Sequence, residues 1–553
     1  MRIVRTLATQ IFLTTVLGTA VAPLTAQAPT DAPVQVDRLF EDWSTVESPG
    51  CAVAVAEKGL TVLSRAYGMA DLEHGIPNTP GTIFEGGSLS KQFTSAAIVL
   101  LALDGKLSLD DDVRAYLPEV PDYGHVITLH HLMTHTSGLR DWGSVAEISG
   151  WGREERSHGH ADVLDIVSRQ SALNYEPGHE YSYTNTGYNL LAMIVDRVSG
   201  MSFAEFSRKR IFEPLGMTHT QWRDDYRRIV PDRSTAYDAR ADGTWAINRP
   251  IENVHGNGGI LTTVGDLTIW NQALDDARFG PEFMRMMLRQ GKLNDGSTII
   301  YAGGLQVGSF AGVPSVTHTG ATAGYRAFLG RYPEQGLSVA MLCNASNINR
   351  GVSGGRIARI FLGGAARDDA APEGVRVSAD ALRRLAGLYR EPVSGDPMRL
   401  SVEDGALRMD GRATLIPVGD GVFQVGSADR RFVVEPTPGG RPRIRVEGWE
   451  YTRRFYEPVD DFAPGEEDLQ GYAGTYHSHD AETTYVVKVE DGALVTWQRP
   501  NTTHTLEPVY PDAFESDSGG IIRFRRDDTG AVTALSLSFP RVFDMRFDKV
   551  DGR

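Results

Sequence analysis

Three short clusters in this 553-residue chain place side chains with complementary proton-transfer chemistry at fixed spacings. The first is Gly86-Gly87-Ser88-Leu89-Ser90-Lys91, where an extended segment gives way to a helix. With Ser88 at the helix start, Lys91 lies one turn on, and side chains three apart share a face. A lysine held beside a serine and away from water favours its neutral form and can accept the hydroxyl proton. The helix N-terminus would also direct N–H dipoles at an anion forming on an attacked carbonyl. The second cluster, Tyr181 to Tyr188, follows Pro177-Gly178 and contains Tyr183 and Asn185 as a Y-x-N triplet before a helix over Asn189 to Val198. The third, His318-Thr319-Gly320-Ala321, reads as a strand. Its glycine would let a substrate backbone lie close, and the next N–H could point into a site. Each cluster has an ordinary alternative: a capping serine with a solvated lysine, a tyrosine-rich loop covering the core, a satisfied structural histidine.

The elements that must hold these residues can be traced outward. Ala52 to Val55 and Thr61 to Leu63 read as strands joined by a turn at Lys58-Gly59. Phe93 to Asp104 reads as a helix with Gly105 as its stop. Ser338 to Cys343 reads as a buried strand, and a helix is expected around Gly354 to Phe361. Two strands, a helical middle, then strands and a helix make an α+β layout.

Around Gly363 to Gly374 the composition turns small and charged, as a linker would. Beyond it the chain repeats. Leu385-Ala386-Gly387-Leu388-Tyr389 matches Tyr472-Ala473-Gly474-Thr475-Tyr476, and Val402 to Leu407 matches Val489 to Leu494, both 87 positions apart. Leu415 and Phe423 then match Leu506 and Phe514 at 91, implying a four-residue insertion in the second copy. Each copy consists of short strands and hairpins, so two small antiparallel barrels are expected. The acidic stretch Glu457 to Glu467 divides them.

The formal charge of -16 argues against a nucleic-acid or anionic-membrane partner. Arg2 and Arg5, an apolar stretch from Ile11 to Ala22, and small residues around Ala26 and Ala28 read as a signal peptide. Its removal would leave about -18. No later apolar run has the roughly 18 residues of a membrane span. The mature protein is therefore expected to be secreted or periplasmic. The expected division is a signal peptide over 1–28, a catalytic domain over 29–370, and barrels over 376–458 and 466–553. His158-Gly159-His160-Ala161-Asp162 matches an H-x-H-x-D zinc pattern but follows a charged segment rather than an apolar strand. A solvated helix start is the expected reading, and neither metal nor cofactor is implied.

S-x-x-K, then Y-x-N 95 positions later, then H-x-G 135 beyond that, is the order and spacing of serine β-lactamases and penicillin-recognising peptidases. His131 to Leu139 and Gly258 to Thr263 with Asp266 agree. The chain thus resembles the class C β-lactamase and peptidase S12 family over about residues 38–365. With two tail barrels it is similar to D-aminopeptidases. The resemblance implies an α+β β-lactamase/transpeptidase-like catalytic domain, an antiparallel sheet plus a helical subdomain, followed by two lipocalin-like antiparallel β-barrels. It also implies roles: Ser88 attacks, Lys91 and Tyr183 relay its proton, and Asn185 bonds the substrate amide. The N–H groups of Ser88 and Ala321 form the oxyanion hole, and His318 and Gly320 line the substrate strand.

His318 departs from the lysine of the usual K-T-G, which helps hold a free carboxylate. A mostly neutral histidine weakens that capture. D-aminopeptidase-like hydrolysis of short peptides or amides is therefore the leading expectation. An esterase, a β-lactamase or D-Ala-D-Ala carboxypeptidase, and a non-catalytic binding protein are the alternatives, with a homodimer left open. In this fold the first strand neighbours the last, so Cys51 and Cys343 could bridge; two buried free thiols are the other outcome. Finally, Pro511 to Gly520, with Asp512, Glu515 and Asp517, reads as a loop that could reach the cleft rim with a carboxylate for a substrate ammonium. Its alternative is a solvated acidic hairpin.

Overall fold

The computed structural model describes residues 29–367, 372–426, 430–438, 440–448 and 451–550. The proposed signal peptide lies outside them, as does the centre of the proposed linker, residues 368–371.

The catalytic half is built on one antiparallel sheet. Its strands are β1 (Cys51–Glu57), β2 (Leu60–Tyr67), β3 (Gln306–Phe310), β4 (Val313–Thr322), β5 (Tyr325–Tyr332) and β6 (Leu337–Cys343), in the order β3-β4-β5-β6-β1-β2. Lys58 and Gly59, both with positive φ (50° and 80°), close the β1–β2 hairpin, which suits the twist of the paired strands. β6 is buried throughout, as its unbroken apolar run requires. Cys51 and Cys343 face each other in the β1–β6 register with Cα atoms 4.0 Å apart, and their sulfurs are bonded.

Four helices frame the sheet and the cleft: α1 (Ser90–Leu103), α2 (Thr186–Ser199), α3 (Val264–Asp275) and α4 (Arg350–Leu362). α1 is buried from Ser90 to Leu101, with polar side chains in its first turns at the site and an apolar run from Ala96 to Leu103. It packs on α2, where Tyr188 donates its hydroxyl to the Met133 carbonyl.

The tail forms two closed eight-stranded antiparallel barrels, spanning Gly387–Val459 and Gly474–Val550. The repeat is structural as well as sequential. Tyr389 bonds the Leu385 carbonyl at 2.9 Å and Tyr476 bonds the Tyr472 carbonyl at 2.7 Å, the same closure in both copies. The insertion is a longer hairpin: Leu407 pairs with Leu415, whereas Leu494 pairs with Leu506. The lengthened tip docks on the catalytic half through Arg499, whose Nε donates to the Ser149 carbonyl at 2.7 Å.

Pro511 to Gly520 corrects an expectation. Ala513–Ser516 is a barrel strand, and all three carboxylates belong to the barrel surface. Asp512 pairs with Arg526 and accepts the Tyr472 hydroxyl, Asp517 accepts the Thr505 N–H and contacts the His504 ring, and Glu515 is exposed opposite Glu507. None lines the cleft; from this segment only Gly519 does. The second barrel reaches the cleft mainly through the hairpin around Arg541.

Candidate active site

Ser88 sits in a 3-10 turn, Gly87–Leu89, that feeds directly into α1. Gly87 takes φ +51°, and a Cβ there would lie 2.7 Å from the Ala321 nitrogen. Only glycine lets the turn press this closely on β4, and the result sets the Ser88 turn beside the Ala321 N–H. Gly320 is needed for a different reason from the one its motif suggests. A Cβ on Gly320 would overlap the Gly86 carbonyl oxygen, so its missing side chain seats the serine turn. Its neighbours Thr319 and Ala321 line the cleft.

Lys91 is fully buried, and its Nζ lies 3.1 Å from Ser88 Oγ, 2.9 Å from Asn185 Oδ1 and 2.8 Å from the Asn257 carbonyl. Burial drives its pKa well below the usual lysine range; the Arg541 charge pushes the same way, against Asp141. A neutral amine has two N–H donors and one lone pair. The two carbonyl oxygens can only accept, so they take both N–H groups, and the lone pair is left for the Ser88 hydroxyl. Tyr183 hydrogen-bonds Ser88, and burial pushes its phenol up to about 12 in spite of that bond. It therefore stands as a neutral relay, with Lys91 as the group able to act as base.

Asn185 gives its Oδ1 to Lys91 and its backbone N–H to Asp141 Oδ2 at 2.6 Å. Asp141 was not singled out by the motifs, yet its other oxygen caps the helix Trp142–Ile148 through the Gly143 and Ser144 N–H groups. One carboxylate thus ties the Y-x-N turn to a helix start. His135 lies under the site, its ring centroid 4.2 Å from that of Tyr183 and 4.6 Å from that of Tyr301.

His318 lines the cleft, but both ring nitrogens are engaged within the protein. Nδ1 faces the Thr319 carbonyl at 2.6 Å, which can only accept, so the proton sits on Nδ1. Nε2 must then accept, and the Tyr301 hydroxyl supplies the donor at 2.7 Å. Burial, and Lys91 nearby, hold the His318 pKa down to about 3. His318 therefore offers neither positive charge nor a free ring N–H to a substrate. Tyr301, which donates to the remaining ring nitrogen, stands outside every motif.

The cleft has a volume of about 1320 Å³ and is walled by the Ser88 turn, Tyr181–Tyr183, β4, the start of α4, and both barrels through Asp396, Arg454 and Ser538–Arg541. β3 pairs with β4 only over Val313–Thr317, so from His318 to Thr322 that edge has no β3 partner. An extended substrate could pair there. The H-x-H-x-D histidines serve the protein: His158 bonds the Trp151 carbonyl, His160 the His255 carbonyl, and Asp162 Oδ2 accepts the Gly159 N–H to cap a helix. Among the described residues no histidine, cysteine or carboxylate cluster suits a metal ion.

The family model described as Beta-lactamase matches residues 36–363. A D-aminopeptidase of Gluconobacter oxydans is 28% identical over 456 residues, covering 81% of this chain and 83% of its own. Penicillin-binding protein 4* of Bacillus subtilis is 31% identical over 329 residues, covering 55% of this chain and 70% of its own. Among solved structures, the octameric penicillin-binding protein homologue from Pyrococcus abyssi superposes with a TM-score of 0.55 at 22% identity, over 86% of this chain and 100% of that one. On the match across 36–363, and with a serine, a buried lysine and a tyrosine joined in one cleft, the chain belongs to the β-lactamase family of serine hydrolases.

Proposed function

We propose that the chain hydrolyses short peptides or amides through an acyl-enzyme on Ser88, in the manner of a D-aminopeptidase. The observation that carries this reading is the three-way bonding of buried Lys91, which leaves its lone pair for the Ser88 hydroxyl. In this scheme Lys91 takes the hydroxyl proton as Ser88 Oγ bonds to the carbonyl carbon. Tyr183 passes a proton to the leaving nitrogen as the C–N bond breaks, and water then cleaves the acyl ester by the reverse route. The Ser88 and Ala321 N–H groups receive the oxyanion. Asn185, with Oδ1 occupied by Lys91, has its Nδ2 available for a substrate carbonyl.

The D-aminopeptidase relative matches across most of both chains, tail included, which supports an amide substrate of D configuration. Asp396, on the cleft wall, is a carboxylate available to a substrate ammonium. A short-chain esterase is the second reading, favoured by the uncharged His318 wall. Export is part of the proposal: a signal-peptide-like start and the Cys51–Cys343 bond both suit an oxidising compartment.

The test is mass spectrometry after exposure to a fluorophosphonate, with turnover of D- and L-aminoacyl amides, short esters and a chromogenic cephalosporin. An adduct on Ser88 and preference for D-aminoacyl amides are expected. An adduct on another residue, or none, overturns the mechanism, and preference for esters or the cephalosporin overturns the substrate class.

A further inference from the structure

The lysine that would put a positive charge on β4 is replaced by a neutral histidine, yet the cleft is not without cations. Four arginines line it: Arg153, Arg350, Arg454 and Arg541. Arg153 is paired with Glu252, and Arg454 lies 3.8 Å from Glu180. Arg350 and Arg541 have no ion pair to a carboxylate among the described residues, and the Arg350 Nε is buried without a hydrogen-bond partner. Among the described residues Asp396 is the one carboxylate on the wall, in a chain whose net charge is -16. Asp141, a buried carboxylate beside the site, is spent on the N–H groups of Gly143, Ser144 and Asn185.

Arg541 is placed with care. It sits in the turn between the last two strands of the second barrel, Val532–Phe539 and Val542–Val550, after Pro540. Its φ is 69°, a conformation usually left to glycine or asparagine at this point of a turn. Strain of this kind persists where surrounding contacts impose it. Here the Arg541 carbonyl accepts the Asp141 N–H at 3.2 Å and Asn174 Nδ2 at 3.0 Å. The Pro540 carbonyl accepts Ser144 Oγ at 2.6 Å, and the Phe543 N–H donates to Asn174 Oδ1 at 2.8 Å. The turn is fastened to the catalytic half on both sides. Its guanidinium is exposed to the cleft, with Cζ 5.1 Å from the centre of the Tyr183 ring.

We propose that the substrate carries a carboxylate near its scissile bond and that Arg541 receives it, supplying from the second barrel the charge that β4 lacks. For a dipeptide the free C-terminus is that carboxylate, with Arg350 on the cleft wall adding to the field. A neutral amide or an ester lacking the anion would forgo this contact. The inference rests on the reading of Ser88 as the acylated serine, since it assigns a substrate to that cleft.

Equilibrium binding tests it without requiring turnover. Ser88→Ala protein is titrated calorimetrically with N-acetyl-D-alanine and with N-acetyl-D-alaninamide, which differ in charge and little in shape. The acid is expected to bind about tenfold tighter or more, as a charge-assisted bond requires. Arg541→Met in the same background should bring the acid to the level of the amide and leave the amide unchanged, and Arg541→Lys should restore part of the difference. Equal affinity for acid and amide in Ser88→Ala protein, including none for either, overturns the proposal. So does a loss in Arg541→Met common to both ligands, the mark of a structural role. Selective acid binding without a fluorophosphonate adduct on Ser88 would sink the hydrolytic scheme and leave the anion site standing.

Discussion

Lys91 can accept a proton only while neutral, and its pKa is depressed, so the sign of its pH effect follows. Activity is present above that depressed value and is lost as pH falls through it. The acid limb of kcat/KM should therefore lie far below the usual lysine range, and a limb near pH 10 would contradict a neutral Lys91. His318, held near 3, should add no limb around neutrality. Ser88→Ala should lower kcat by about a thousandfold or more, and Tyr183→Phe by roughly a hundredfold or more, with circular dichroism unchanged. Steady-state rates on one amide substrate check both. These residues were legible in the sequence because the chemistry demands types at short, fixed spacings. Tyr301, Asp141 and Arg541 were not. Tyr301 meets His318 through a buried side-chain contact, and Arg541 arrives from the far end of the chain. Nothing local in their neighbourhoods marks them.

At the scale of elements, β4 and the Ser88 turn behave as one piece because Gly320 faces the Gly86 carbonyl. Gly320→Ala should force them apart at a stability cost of about 1–3 kcal/mol. A displaced oxyanion donor should lower kcat/KM by on the order of a hundredfold. Denaturant unfolding and kinetics measure the two effects separately; unchanged kinetics would mean that the Ala321 N–H plays no part. The sequence announced the strands and helices well where apolar runs were long, as from Val339 to Cys343 in β6 and from Ala96 to Leu103 in α1. It misled at Pro511 to Gly520, where acids, serines and glycines suggested a free loop. The repeat held better information there. Phe514 matches Phe423, which stands inside the strand Val422–Val425, so Phe514 belongs in a strand too.

At the scale of the molecule, the second barrel is part of the enzyme's body. Its interior is continuous with the core around α1 and α2, whereas the first barrel has a core of its own. Arg140 and Asp480 form a buried ion pair across this junction at 2.6 Å. Arg140→Ala would strand a buried carboxylate, and a loss of roughly 3–5 kcal/mol is expected. Chemical denaturation should show it, together with earlier proteolysis at the junction; a change within about 0.5 kcal/mol would mean that the pair is idle. The barrels themselves were legible through their offset, but the docking was not, since it depends on single side chains such as Arg140 and Asn174 meeting partners hundreds of positions away. The Cys51–Cys343 bond acts at this scale as well. Thiol titration of unfolded protein should find no thiol without reductant and two with it. The bond joins the first and last strands of the sheet, so the segment carrying Ser88, Lys91, Tyr183 and His318 is a covalent ring from which the barrels hang as a tail. A protease that cuts this ring once releases nothing: the nicked chain keeps its mass and runs as two fragments only after reduction.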